Sequence, residues 1–210
     1  MLLCTFHIGK SLVPLYAEPL GNPETVVTMI PGFSSGYVSL ASGSLRAWLD
    51  KMAPGWEPPL IMVGWSAGCF AIREWLLNDP EAHSLIDAAV LLDGLHSSGP
   101  PCNERQINGA LSFSNDPSKL LIVTHTAIVP PGYASTTDCA DLLRRLSWGA
   151  VVKGYPGDDE AAHVRQVREI GPKMMGRVAR WLRGPSATVI GIAVGGVAVA
   201  AMGAWYVLRR

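Results

Sequence analysis

Residues 59–71, which read PLIMVGWSAGCFA, decide the fold. The apolar run 60–63 is typical of a buried strand, and the residues after Gly68 can form a helix. Between them lies the pattern G-x-S-x-G, formed by Gly64, Ser66 and Gly68. Glycine lacks a Cβ atom, so strand and helix can approach closely around a sharply turned serine. The N-terminus of the helix then favours negative charge beside Ser66. The stretch therefore predicts a serine on a sharp, strained turn at a strand–helix junction.

The composition limits the class of protein. The chain has 210 residues, 49% of them hydrophobic, and a formal net charge of +0. This length suits one sizeable domain. A neutral balance without a basic patch argues against nucleic acid as a partner. The cysteines are scattered and contain no C-x-x-C pair, so we predict no metal site and expect no cofactor. Their positions are Cys4, Cys69, Cys102 and Cys139.

The C-terminal segment differs from the rest of the chain. Residues 187–208 contain no charged residue. As a helix with a rise of about 1.5 Å per residue, they would span roughly 33 Å, enough for a bilayer core. Trp205 and Tyr206 stand where interfacial aromatic residues belong, and Arg209 and Arg210 follow them. We therefore predict two parts, a globular domain over 1–184 and a membrane anchor over 185–210.

Strand-like and helix-like stretches alternate between these ends, which is typical of a mostly parallel sheet flanked by helices. The segment before Thr25 leaves room for one or two additional strands. Segment 97–117 is predicted to be a loop or to hold a short helix. The predicted strands are 25–30, 60–63, 88–92, 120–123 and 150–152; the predicted helices are 38–51, 67–77, 137–146 and 162–182.

Over most of residues 20–183 the chain resembles the α/β-hydrolase superfamily. The matching features are the G-x-S-x-G elbow, the segment Pro31-Gly32-Phe33 after a strand, and the late His163 before a helix that ends at Trp181-Leu182. That fold orders its catalytic residues as serine, acid and histidine. No long insertion that could form a large lid is visible, so we expect an open site.

The resemblance implies that Ser66 is a nucleophile and that His163 is its base. A serine hydroxyl is a weak nucleophile unless a base removes its proton. His163 is the best of five histidines because it follows the last predicted strand, in a polar loop. His96 and His125 are further candidates for the rim of the site, although a structural role is the more common outcome for such residues.

The acid that holds the histidine has two candidates. Asp93 follows the strand 88–92, and catalytic groups of open α/β sheets collect at such carboxyl ends. Asp138 comes later, in the first turn of a predicted helix, where a carboxylate stabilises the helix dipole. The family usually places the acid after the strand that is here 120–123, but the loop that follows has no nearby carboxylate. We predict Asp93 as the acid and keep Asp138 as the alternative.

An oxyanion hole requires backbone N–H groups that point at the developing negative charge. The resemblance implies that Ala67, directly after Ser66, supplies one of them. The second is expected from Gly32 or Phe33. The family often has histidine where this chain has Pro31, a departure that leaves these donors in place.

The leading hypothesis is a membrane-anchored serine hydrolase that acts on a small-molecule or lipid-like acyl substrate, with an ester as the expected substrate. An amidase or peptidase would use the same residues, and a non-catalytic domain that binds a ligand or partner is the competing class. The N-terminus lacks the features of a signal peptide, and basic residues precede the anchor, so we expect a cytoplasmic domain. Gly191 and Gly195 would allow two anchors to pair as a homodimer.

Overall fold

A parallel β-sheet forms the centre of the molecule, seen here in a computed structural model. The structure describes residues 1–30, 34–96, 101–102, 104–129 and 132–184. In the described part of the chain, six strands run in the order β2-β1-β3-β4-β5-β6, and every neighbouring pair is parallel. The strands are β1 (Leu2–Phe6), β2 (Thr25–Met29), β3 (Leu60–Trp65), β4 (Ala88–Leu92), β5 (Leu120–His125) and β6 (Val151–Gly154).

Helices cover both faces of this sheet. They are α1 (Val13–Ala17), α2 (Ser34–Ala41), α3 (Leu45–Met52), α4 (Cys69–Asn78), α5 (Ala82–Leu85), α6 (Glu104–Ser114), α7 (Thr136–Leu146), α8 (Glu160–Arg165) and α9 (Gly171–Leu182). Strands β1, β4 and β5 are buried along their whole length, and β3 is buried except at its last residue, Trp65, as expected for strands covered on both faces. The predicted α/β fold with a parallel sheet flanked by helices is therefore confirmed.

Two apolar layers hold the helices to the sheet. One contains Trp75 of α4 and Phe113 of α6, together with Met62 of β3. The other contains Val178 of α9, together with Val63 of β3. Successive residues of one strand thus enter opposite layers, because successive side chains of a strand point to opposite faces.

Strand β1 lies in the segment before Thr25, where the sequence left room for one or two strands, and it separates β2 from β3. Two predicted helices need correction. The single helix predicted over 38–51 is two helices, because Ser44 caps a new N-terminus and its side chain accepts a hydrogen bond from the Ala47 N–H. The single helix predicted over 162–182 is interrupted by a π-helical turn at Gln166–Ile170, directly before Gly171 and Pro172.

The predicted anchor lies outside the described residues. Among the helices that the structure does describe, none is long and apolar enough to cross a membrane. The anchor over 185–210 and the division of the chain at Gly184 therefore stay predictions. The absence of a large lid also stays a prediction, because residues 97–100 fall outside the described ranges.

Candidate active site

Ser66 occupies a strained turn between β3 and α4. Its φ is +51°, a left-handed conformation that L-residues rarely adopt and that costs of order 1–3 kcal/mol. The two glycines of the motif allow this geometry. A Cβ atom at Gly64 would lie 2.8 Å from Cα of Cys69, and one at Gly68 would collide with the carbonyl group of Phe6. The strain is therefore held by close packing of strand, turn and helix.

Asp93 lies directly after β4, also with a positive φ, of +48°. Its side chain is fully buried. The Thr126 backbone N–H donates a hydrogen bond to Oδ1 at 2.8 Å, and the Thr126 hydroxyl donates one to Oδ2 at 2.6 Å. The Thr136 hydroxyl lies 2.8 Å from Oδ1. Hydrogen-bond donors from the loop after β5 and from the first residue of α7 thus fix the orientation of this carboxylate.

His163 supplies the remaining partner of Asp93. Its Nδ1 lies 2.8 Å from Oδ2 of Asp93, and its side chain is 15% exposed. When Nδ1 carries the proton that Asp93 accepts, Nε2 presents a free lone pair. The Trp65 indole N–H donates to the His163 carbonyl at 3.1 Å, and the two rings are 4.9 Å apart. Trp65 directly precedes Ser66, so His163 is held against the elbow.

These contacts determine the charge of Asp93. Burial alone would raise its pKa, but the hydrogen bonds from His163, Thr126 and Thr136 outweigh burial and hold the pKa of the carboxyl below its ordinary value. Asp93 is therefore an ionised acceptor at neutral pH. A buried carboxylate of this kind, paired with an imidazole, can stabilise a positive charge on the imidazole.

Asp138, the alternative acid, lies elsewhere. It sits in the first turn of α7, and its backbone N–H donates to the Ser135 hydroxyl at 2.9 Å, so Ser135 caps this helix. Its side chain is exposed. No hydrogen bond joins its carboxylate to a histidine in the ranges that the structure describes. Of the two candidates, the structure brings Asp93 to His163.

Of the donors expected for the oxyanion hole, Ala67 lies within the described residues, whereas Gly32 and Phe33 do not. Ala67 lies in the turn Ser66–Gly68 that begins α4. Gly32 and Phe33 lie outside the described residues and follow β2. Because β1 separates β2 from β3, the turn that borders the elbow follows β1, and Gly68 packs against Phe6 and His7.

His7 is a residue of this region that the sequence analysis missed. Its φ is +62°, its Nδ1 lies 3.1 Å from the Tyr37 hydroxyl, and its ring is 5.3 Å from that of Trp65. Burial lowers the pKa of His7, and the nearby charge of His163 lowers it further. The signal was present, since an apolar run over 2–6 leads directly into this histidine.

The two other histidines considered for the rim have structural partners. The His96 carbonyl accepts a hydrogen bond from the Arg73 guanidinium, and the His96 ring is 6.0 Å from that of Tyr133. Burial, assisted by Arg73, lowers the pKa of His96 to about 4. His125 is buried and lies 3.0 Å from the Thr137 hydroxyl. In the described part of the chain, neither ring forms a hydrogen bond or a ring contact with Ser66, Asp93 or His163.

A disulfide bond lies beside this region. Cys102, just before α6, is bonded to Cys139 of α7, with the two Cα atoms 5.2 Å apart. Cys139 lies three residues after Thr136, in the first turns of α7. The disulfide therefore restrains the part of α7 whose Thr136 hydroxyl donates to Asp93. Cys69 is fully buried at the start of α4, and Cys4 is buried in β1.

Comparison with known proteins identifies the architecture. No protein-family model matches the sequence, and no curated protein matches it either. Among solved structures, the product of gene lin2722 of Listeria innocua is similar at a TM-score of 0.53 and 8% identity, over 83% of this chain and 91% of that one. A carboxylesterase from Mesorhizobium loti is similar at a TM-score of 0.51 and 15% identity, over 88% of each chain. The chain has the α/β-hydrolase fold, as the resemblance of its sequence predicted.

Proposed function

We propose that this protein is a membrane-anchored serine hydrolase that cleaves carboxylic esters through an acyl-enzyme on Ser66. The observation that carries the proposal is the hydrogen bond of 2.8 Å between His163 and the buried Asp93, held by Trp65 beside a serine with φ of +51°. Ser66 follows β3 and Asp93 follows β4, so both belong to the carboxyl edge of the sheet, where ligands of open α/β sheets bind, and His163 is bonded to Asp93.

The chemistry follows from these roles. Nε2 of His163 takes the proton of the Ser66 hydroxyl as its oxygen attacks the ester carbonyl carbon. Asp93 stabilises the imidazolium that forms. Collapse of the tetrahedral intermediate breaks the bond to the alcohol, which leaves with the proton from His163. A water molecule, deprotonated by His163, then attacks the acyl-enzyme and releases the carboxylic acid and free Ser66. This sequence needs no cofactor.

The oxyanion of both intermediates needs N–H donors about 2.7–3.1 Å away. We assign one to Ala67. The second was predicted at Gly32 or Phe33, and the topology offers another source, the backbone N–H groups of the turn after β1 at Ile8 and Gly9. That turn is favoured because β1, not β2, is the neighbour of the nucleophile strand β3.

We propose a carboxylic ester as the substrate. One similar structure is named a carboxylesterase, which favours a small-molecule or lipid-like ester over an amide. An amidase or peptidase would use the same three residues. A domain that only binds a ligand is the competing class, and the pairing of Asp93 with His163 argues against it, because a binding role does not require an oriented base.

A fluorophosphonate probe, which reacts with activated serines, tests the proposal. We expect it to label the wild-type chain and not Ser66→Ala. Turnover of a short activated ester should fall by about 10⁴ to 10⁶ in that variant. Ser84→Ala, which removes an exposed hydroxyl on α5, is the control and should keep full labelling. Wild-type turnover in a folded Ser66→Ala protein would exclude Ser66 as the nucleophile. Matched ester and amide substrates then separate the two hydrolase classes.

The anchor is tested separately. We propose that residues 187–208 hold the chain in a membrane after an alkaline carbonate wash, whereas a chain ending at Gly184 is released. The positive-inside rule favours a cytoplasmic domain, but the Cys102–Cys139 disulfide favours the opposite side, because such bonds persist in oxidising compartments. Protease digestion of intact cells decides between the sides: a protected domain supports the cytoplasmic placement, and a digested one rejects it.

Chemical cross-linking in the membrane tests the homodimer through Gly191 and Gly195.

A further inference from the structure

Helix α9 presents two faces of different chemistry. Met175, Val178 and Ala179 are buried against the sheet. On the opposite side, basic residues recur at intervals of four, three and three positions, which places them along one stripe of a helix. We call this stripe the basic face; it consists of Lys173, Arg177, Arg180 and Arg183. Three of these side chains are exposed and that of Arg177 is half-buried.

The charge of the basic face is not neutralised locally. The nearest acidic residue along the chain, Glu169, lies one turn upstream and is exposed, and Glu18 lies on the turn that packs beside α9. Neither forms an ion pair within 4.0 Å with the basic face among the residues that the structure describes. From Lys173 to Arg210 every charged residue is basic. The helix therefore carries a strip of uncompensated positive charge.

The basic face lies next to the predicted membrane anchor in the sequence. Helix α9 ends at Leu182, and the uncharged stretch 187–208 begins five residues later. We propose that the basic face binds the headgroups of an anionic phospholipid bilayer, so that α9 lies along the surface of the membrane in which the chain is anchored. The inference rests on the proposed anchor and adds the orientation of the domain and the charge of the lipid.

Neighbouring apolar groups suit the same surface. Leu15 is 43% exposed and lies on α1, which packs against α9. Trp181, near the C-terminal end of α9, is half-buried and packs in part against the core beneath this helix. Interfacial helices combine cationic residues with tryptophan and leucine in this way, since the cations attract anionic lipid and the apolar groups enter the headgroup region.

A short-range fluorescence measurement on the full chain tests the proposal. Gly176 lies on the basic face, and a Cβ atom there would approach only the Arg180 guanidinium, at 3.9 Å. A maleimide dye on Gly176→Cys therefore reports on this face without disturbing the core, since Cys4 and Cys69 are buried. Ala47→Cys on α3 is the control, because α3 is exposed there and covers the opposite face of the sheet. Both proteins are reconstituted into vesicles that contain lipid with a nitroxide headgroup.

We expect quenching of the dye at position 176 in vesicles rich in phosphatidylglycerol, weak quenching in pure phosphatidylcholine, and reversal by high salt. The dye at position 47 should stay bright. The triple variant Lys173→Gln, Arg177→Gln, Arg180→Gln should shift the docking equilibrium by about 100-fold, at roughly fivefold per charge. The triple variant Lys51→Gln, Arg145→Gln, Lys153→Gln removes the same charge elsewhere and should behave as the wild type.

Equal fluorescence of the dye at position 176 in both kinds of vesicle would overturn the proposal. An acidic protein partner would then be the expected ligand of the basic face. Identical behaviour of the two triple variants would overturn it as well. Two readouts in the same vesicles keep this result separate from the proposed function. Retention of the chain in phosphatidylcholine vesicles reports the anchor, and fluorophosphonate labelling reports Ser66.

Discussion

The hydroxyl of Thr136 lies 2.8 Å from Oδ1 of Asp93, although 43 positions separate the two residues. The same hydroxyl lies 2.9 Å from the Thr126 carbonyl, so one proton is shared between two acceptors. The first residue of α7 is thereby joined to the turn after β4. The orientation of the proposed acid depends on a helix that contributes no residue to the reaction itself.

Replacing each candidate acid in turn should show which aspartate orients His163. Asp93→Asn should lower turnover by about 10⁴, because the amide favours the wrong tautomer of His163. Asp138→Asn should leave turnover within a factor of about two, since its carboxylate is exposed in the first turn of α7 and serves only the helix dipole. Steady-state kinetics on a short activated ester measure both. The reverse order of effects would move the acid to Asp138.

Removal of the Thr136 hydroxyl should change how activity depends on pH. In Thr136→Val the Asp93 carboxyl loses one of the hydrogen bonds that hold its pKa below the ordinary value, so its pKa rises and the carboxylate is protonated at a higher pH. We therefore expect the acidic limb of kcat/KM to move to higher pH by roughly one unit, with KM little changed. Thr136→Ser should restore the wild-type profile.

A structural control accompanies this measurement. Thr28→Val removes a comparable hydrogen bond, 3.0 Å long, between Thr5 and Thr28 in strands β1 and β2. It should lower stability without moving the pH profile. If Thr136→Val and Thr28→Val gave the same profile, Thr136 would act through stability alone.

His96 should make the folded state sensitive to mild acid. Its pKa is lowered to about 4 by burial and by Arg73, whereas in the unfolded chain it is about 6.5. Because the folded state holds the neutral form, this stability is present above pH 6.5 and is lost as the pH falls toward 4. The loss should reach a few kcal/mol in urea denaturation measured across this range. His96→Gln should flatten the dependence, and an unchanged slope would contradict the assignment.

Loss of the disulfide should destabilise the domain. The bond closes a loop with a sequence separation of 37, for which chain entropy gives about 4 kcal/mol. We expect Cys102→Ser combined with Cys139→Ala to lower Tm by on the order of 10 °C. Dithiothreitol should have the same effect on the wild type and none on the double variant. A wild-type Tm that does not respond to the reductant, with free thiols confirmed by labelling, would contradict this expectation.

The sequence predicted those features that depend on local pattern. Strands β2 to β6 appear as short apolar runs, and the elbow at Ser66 follows from glycine spacing within five residues. Asp93 and His163 were found because each follows a strand whose carboxyl end could be located. They contact each other because both follow strands of one parallel sheet, whose carboxyl ends lie at the same edge.

The features that were missed depend on distant parts of the chain. The order of the strands cannot be read from Leu2–Phe6 alone, because the partners of a parallel strand are set by the whole sheet. The spacing of Cys102 and Cys139 likewise gives no hint that their Cα atoms lie 5.2 Å apart. The break within 162–182 did leave a signal, because Pro172 lacks the N–H that a continuous helix requires.

The interior position of β1 also has a consequence for biosynthesis. Leu2 pairs with Thr25 on one side and with Leu60 on the other. At about 5 to 20 residues per second, a ribosome needs roughly three to twelve seconds to make the second partner after the first strand. During that time an apolar segment that will be fully buried has at most one strand to pair with. The nascent chain is thus exposed to aggregation until β3 emerges, and chaperones that bind short apolar segments would meet it at Leu2–Phe6.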